Sequence, residues 1–514
     1  MPESRSPKSA APKSAAPKSA APKSAAPKSA APKSAPGPAD AAGSNAGRAT
    51  RARLPEPKRK VWLDGALAPY TLRPWFDRVL LKWVTRTYFP LSRGWAAARL
   101  ADGDVDALRA ELQRSGVRKP KEPLLAKLAA ALPPAERAYR EATAAWEADF
   151  HAPRRPTDAH LVASERYRER AAQRLMAQRA WVVPIHRRGR LPAVAFDIRG
   201  KAAVEAAHGD RADGRVPAFP APESPTARRT HSVPSADGRV SWIDWPAPMA
   251  GVRDFPADDR VRARVVEPEN RPDAPTFIHL HGIGMEPEML TAQRDPVLEL
   301  ARRHSIRVVR PEGPWHGSRM APGFWGGEPA LAHAPLGWLD LVQAWVAEAA
   351  QLIAWARATS DGPVAIGGLS LGALNSQVAA AAARDWPAEM RPDALFLCMT
   401  SGDMLQVGFE GAMAKGLGAL RAVRAAGWDH AALERYRPLL EPHGAPAMPA
   451  SRIVMHLGRV DAVMPFDGAR DLATRWGVPE QNLFAPRRGH FTAPMALHID
   501  PAPLDRLAAV LNRL

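Results

Sequence analysis

The sequence predicts an α/β architecture for residues 238–514: a mainly parallel sheet with helices on both faces, preceded by a helical region and a basic tail. Three observations predict it. From about residue 238 short apolar runs recur, "RVSWIDW", "VRARVVEP", "TFIHLH", "SIRVVRP", "GPVAIGG", "DALFLCM", "SRIVMHLG" and "NLFAP". Helical stretches such as "LGWLDLVQAWVAEAAQLIAWARA" and "GALNSQVAAAAARDW" lie between several of them, and continuous apolar strands alternating with helices indicate a parallel sheet covered on both faces. Finally, Gly368-Leu369-Ser370-Leu371-Gly372 joins one apolar run to an Ala-rich helix, the context in which G-x-S-x-G lifts a serine above a sheet.

The elements upstream read as follows. Residues 1–60 form a basic tail in which "PKSAA" repeats from Pro7 to Ala35. A proline every fifth residue stops a helix from propagating, and no large apolar side chain is present to bury, so a disordered segment is expected. Residues 61–182 read as mainly helical. "DVDALRAELQRSG" has an acidic start and a glycine stop, and Thr157 or Asp158 opens another helix. "EPLLAKLAAALPPAERAYREATAAWEADF" is expected as two helices broken at Pro133-Pro134. Residues 183–237, rich in Pro, Arg and Gly with weak periodicity, read as a linker or a draped segment. The helices are expected to pack on the catalytic domain rather than lie on a membrane surface as a basic amphipathic helix would.

Composition narrows the function classes. A single cysteine, Cys398, excludes an internal disulfide and points to a reducing, cytoplasmic setting. No run of about 18 apolar residues reads as a membrane span, and the N-terminus carries no apolar signal region. The net charge of +18 is unevenly placed: residues 1–60 and 61–237 each carry +10, and residues 238–514 carry −2. The basic N-terminal half suits weak contact with polyanions or anionic membrane. With no aromatics between the tail's lysines to stack on bases, no specific nucleic-acid recognition is expected.

A serine needs a neighbouring base to act as a nucleophile. After the run "RIVMHL" comes Asp461 in "GRVDAVMP", and after the next run comes His490 in "RRGHFTAP". Ser370, Asp461 and His490 thus follow in the order of a hydrolase triad, each beyond the carboxyl end of a predicted strand, where ligands of such sheets bind. The amide of Leu371 is the expected first oxyanion donor. The second is expected from the loop His281-Gly282-Ile283-Gly284, at Ile283 or, one register on, at Gly284. His279 and His281 share a strand face but lack a third ligand at metal-binding spacing, so no metal and no organic cofactor are implied.

These pieces, "HGIG", "GLSLG", "GRVDAVMP" and "GHF" in that order, make residues 238–514 resemble the α/β-hydrolase superfamily. The resemblance implies that superfamily's fold and a Ser370–His490–Asp461 triad. Within it, "ENRPDAPTFIHLHGIG", "RPEGPWHGSR" and the early "RVLLKWVTR" and "RGW" are most similar to the α/β-hydrolase domain-containing protein 18 branch, from which the stretch at 105–230 departs. Residues 401–450 stand where this superfamily often carries a lid. Their Gly, Ala, Met and Phe suit a mobile apolar cover.

In "EGPWHGSRMAPGFWGGEP", Trp315, His316, Arg319, Phe324 and Trp325 are candidates for the substrate-pocket wall; the competing reading is that the tryptophans pack this domain against the N-terminal helices. The expected function is a serine hydrolase of carboxylic esters, carboxylesterase- or lipase-like, acting on a small-molecule or lipid-like ester through an acyl-enzyme. The alternative is a vestigial hydrolase fold serving as a scaffold that its basic half recruits to polyanions or anionic membrane.

Overall fold

The computed structural model describes residues 52–55, 68–117, 121–249, 259–269, 271–286 and 295–514, so the PKSAA tail lies outside the described residues. Ten strands form one sheet: β1 (Arg228–Arg229), β2 (Val233–Ser235), β3 (Gly238–Pro246), β4 (Arg260–Glu267), β5 (Thr276–Leu280), β6 (Arg307–Glu312), β7 (Val364–Leu369), β8 (Ala394–Cys398), β9 (Ile453–His456) and β10 (Leu483–Phe484). Their spatial order is β1-β3-β4-β6-β5-β7-β8-β9-β10, with β2 also paired to β3. Strand β4 runs antiparallel to both of its neighbours, β3 and β6. From β6 to β10 every pairing is parallel. Counted from β3, this is the strand order of the α/β-hydrolase fold.

The order positions the site. From β5 the chain moves outward to β6, then returns across β5 through the helix Leu336–Ala358 to reach β7. Strands β5 and β7 are therefore neighbours, with Leu280 opposite Gly368. The loops after them emerge side by side at a topological switch point, where such sheets bind ligands. Both faces are dry. Ile278, Leu280, Ile366 and Leu395 pack beneath Leu336–Ala358 and Leu371–Ala382. Phe277, Ala365, Phe396 and Val454 pack on the helix Ala502–Leu511 on the other face. No helix among the described residues is long and apolar enough to cross a membrane.

The N-terminal region differs from the sequence expectation at Pro133-Pro134 and resolves the alternatives for residues 183–237. Glu122–Phe150 is one continuous helix with Pro133 and Pro134 inside it. An internal proline costs about 3 kcal/mol, but Leu125, Leu128 and Leu132 are buried on one side of the pair and Trp146 and Phe150 on the other. At roughly 1.5–3 kcal/mol per buried large side chain, tertiary packing outweighs the break. Of the two readings of residues 183–237, linker or drape, the structure has the drape. These residues hold the helices Val183–Gly189 and Lys201–Ala212 and two edge strands of the sheet. Their weak periodicity reflects how they are held: Trp428 donates to the Arg199 carbonyl, Trp386 to that of Phe219 and Gln351 to that of Glu223.

The helices pack on the sheet, where Trp242 of β3 meets Trp146 and Phe150 edge-on, at 5.1 and 5.3 Å between ring centroids. Arg93, buried in the helix Phe89–Ala101, pairs with Glu111 at 2.5 Å and with Glu328 at 3.5 Å. A second buried ion cluster pins the loop after β6. Arg319 donates to Asp259 at 2.8 and 2.6 Å and to Glu348 of Leu336–Ala358 at 2.8 and 2.6 Å. Breaking a buried pair from one side leaves the partner charge uncompensated. Arg319→Met should therefore lower unfolding stability by about 3 kcal/mol, read as a lower midpoint in urea; an unchanged midpoint would contradict the cluster's role.

Candidate active site

Ser370 directly follows β7 in a backbone conformation of φ 55°, ψ −116°. A non-glycine residue there stores roughly 1–3 kcal/mol of strain, and the surroundings must enforce it. They do so by crowding. A Cβ at Gly368 would lie 2.4 Å from the Leu280 carbonyl oxygen, and one at Gly372 would lie 2.1 Å from the same atom. Only glycine on either side lets the strand and the helix Leu371–Ala382 meet at so sharp a turn. The Ser370 amide is tied to the Cys398 carbonyl at 2.9 Å. The helix behind it directs the positive end of its dipole at the serine.

Asp461 and His490 come from the loops after β9 and β10. Asp461 Oδ1 accepts from the amides of Val463 (2.8 Å) and Met464 (2.9 Å), which leaves Oδ2 to meet His490 Nδ1 at 2.8 Å. His490 Nε2 lies 2.9 Å from Ser370 Oγ. The structure thus brings all three predicted residues into one hydrogen-bonded chain. All three are buried, with 5–8% of their surface exposed. Burial disfavours the charged form of His490, but the charge and hydrogen bond of Asp461, with the charge of Asp77, outweigh it and raise the imidazole's pKa above its ordinary value.

Asp77 was not foreseen. It lies in the helix Pro74–Trp83, more than 400 residues from the loop that it holds. Its Oδ2 accepts from the His490 amide (3.1 Å); Oδ1 accepts from the amides of Phe491 (2.8 Å) and Thr492 (2.9 Å) and from the Thr492 hydroxyl (3.3 Å). One buried carboxylate thereby holds the backbone of the base loop. The available signal was slight: between Ala68 and Leu100 the chain has six Arg and Lys but one acid, Asp77.

The same stretch also holds the loop after β5. The helix Pro74–Trp83 continues through a π-helical turn, Val84–Tyr88, into Phe89–Ala101. Tyr88 donates its hydroxyl to the Gly284 carbonyl at 2.8 Å. The Gly284 amide donates to the Gly326 carbonyl at 3.1 Å, so it is already committed and the alternative oxyanion donor is corrected. Ile283 lines the cavity that contains Ser370. His281 is structural: its Nδ1 donates to the Gly282 carbonyl (2.7 Å), and Nε2 accepts from the Gly313 amide (2.9 Å). Among the described residues no group of three or more His, Cys, Asp or Glu could hold a metal.

A cavity of about 410 Å³ opens at Ser370. Its walls are apolar near the serine, with Ile283, Leu369, Phe396, Met413 and Phe491 among them. The expected lid region contributes Met413, on the helix Ala412–Leu417. Polar groups stand in the wall as well: His279 and the pair Arg310–Asp295, 2.7 Å apart.

The five wall candidates taken from "EGPWHGSRMAPGFWGGEP" are absent from this lining, and the expectation is corrected. Trp325 is fully buried, stacked on Phe89 with 4.2 Å between centroids, and donates to the Ala193 carbonyl. Arg319 is held in its ion cluster. Trp315 lies in the core, Phe324 packs against it, and the His316 ring sits 4.8 Å from that of His281. Aromatics in a glycine-rich loop read alike in sequence whether they line a cavity or pack a domain against its neighbour, and here they pack.

No protein-family model and no curated protein matches the chain. Among solved structures it is similar to acetyl xylan esterase 1 from Thermoanaerobacterium sp. JW/SL YS485, with 14% identity over 61% of this chain and 95% of that one and a TM-score of 0.39. A hyperthermophilic esterase from the archaeon Pyrobaculum calidifontis gives 18% identity over 54% and 83%, with a TM-score of 0.35. A puromycin-hydrolysing peptidase of Mycobacterium tuberculosis gives 15% over 55% and 47%, with a TM-score of 0.37. The fold assignment itself rests on the strand order and register described above.

Because the charge of Asp77 raises the His490 pKa, Asp77→Asn should move the acidic limb of any His490-dependent activity to lower pH while reducing its plateau through one lost loop bond. An acidic limb that stays in place would contradict the coupling.

Proposed function

We propose that the protein is a serine hydrolase of carboxylic esters. The observation that carries this is the chain Ser370 Oγ–His490 Nε2, 2.9 Å, and His490 Nδ1–Asp461 Oδ2, 2.8 Å. The strained turn at Ser370 and an apolar cavity opening on its hydroxyl support the same reading. The vestigial-scaffold alternative has no comparable observation in its favour.

In this reading Ser370 Oγ attacks the ester carbonyl carbon as its proton passes to His490 Nε2. The carbonyl π electrons move onto oxygen, and the amides of Leu371 and Ile283 donate to the resulting oxyanion. Asp461 keeps the Nδ1–H tautomer and stabilises the imidazolium. Collapse expels the alcohol, which takes its proton from His490. A water molecule, deprotonated by His490, then attacks the acyl-enzyme; the acid leaves and Ser370 recovers its proton. The cavity's apolar wall suits an acyl group of hydrocarbon character. Resemblance to the α/β-hydrolase domain-containing protein 18 branch rests on sequence blocks and adds no substrate.

Two measurements test this. Wild-type protein should react with a fluorophosphonate probe and hydrolyse p-nitrophenyl esters, and Ser370→Ala should do neither; robust labelling of that variant would sink the assignment. Only neutral His490 is a base, so kcat/KM should fall as pH drops through a pKa above 6.5. A flat profile from pH 5 to 8 would count against His490.

A further inference from the structure

The helix that holds the base loop through Asp77 turns another face outward. Trp75, Val79 and Trp83 follow one another four residues apart and are 51%, 49% and 51% exposed; Tyr70, just ahead, is 65% exposed. Side chains at this spacing form one stripe along a helix. Of the eleven exposed large hydrophobic residues among the described ones, four fall between Tyr70 and Trp83, so this is a concentration and not scatter. Arg78, Lys82 and Arg86 are exposed on the same side. The acid of this stretch, Asp77, is buried against the His490 loop, so no carboxylate of this helix answers those cations. The charge has the same sign as that of residues 1–60, +10.

From this we infer that the face formed by Trp75, Val79 and Trp83 with Arg78, Lys82 and Arg86 docks on an anionic phospholipid surface. Indole rings favour the zone between headgroup and acyl chain, where one edge is apolar and the N–H is wet. Arginine and lysine beside them meet anionic headgroups. Both belong to a helix lying in the plane of a bilayer surface. A second copy of this chain is a poorer occupant, because a two-fold contact would set the three cations against themselves. Single-stranded nucleic acid could stack on the tryptophans, but Val79 at the centre of the stripe offers it nothing.

The test is sedimentation of the full chain with phosphatidylcholine vesicles, with and without phosphatidylglycerol, alongside a labelled single-stranded oligonucleotide. The wild type should bind the mixed vesicles with a blue shift in tryptophan emission. The affinity should fall about tenfold or more for Trp75→Ala/Trp83→Ala and for Arg78→Gln/Lys82→Gln/Arg86→Gln. Both variants keep the N-terminal tail, which separates this face from attraction by the tail alone. The thermal midpoint of the Arg78/Lys82/Arg86 variant should match the wild type, since those three side chains are exposed. No binding to mixed vesicles, or undiminished binding by the double tryptophan variant, would overturn the proposal. Tryptophan-dependent capture of the oligonucleotide without vesicle binding would overturn it too.

Discussion

A single buried carboxylate carries more of this structure than its size suggests. Asp77 accepts the amide hydrogens of His490, Phe491 and Thr492 and a hydroxyl hydrogen from Thr492. Carboxylates are rarely buried without a basic partner, because loss of hydration costs several kcal/mol. Charge-assisted bonds to backbone amides offset that cost, and each is stronger than its neutral counterpart. The arrangement reaches the chemistry through position and through charge. It holds the loop that sets the imidazole's place, and it adds to the field that keeps the imidazole basic.

Much of the sheet half was legible because its information is local. A run of apolar residues, a glycine-lined turn around Ser370 and a loop bearing Asp461 or His490 are each complete within about ten residues. Parallel sheets are built from such units, and their order along the chain dictates which loops share an edge. What was illegible depends on distant partners. Nothing local marks Asp77 as the acceptor for a loop more than 400 residues away, or Tyr88 as the donor to Gly284. Pro133-Pro134 gave a true local signal that tertiary burial overrode. Residues 183–237 lack periodicity because side chains from elsewhere satisfy their backbone.

The loop after β5, proposed above to donate to an oxyanion, shows how the two halves of the chain combine. Gly284 is fastened on both sides, its amide to Gly326 and its carbonyl to Tyr88, and Phe89 packs against it. Donors held in advance need little reorganisation as charge develops, and this is the main source of electrostatic catalysis in such sites. The chain holds this loop partly with a residue far upstream of the first strand.

Asp77 and Tyr88 stand on one uninterrupted run of helix. A rod that touches the His490 loop near its start and the loop after β5 at its middle works as a gauge between them. Residues 74–101 are thus no appendage: this rod is tied to the loops of the sheet although it lies well before the first strand. A residue removed between Asp77 and Tyr88 would turn one of these two contacts away from its target.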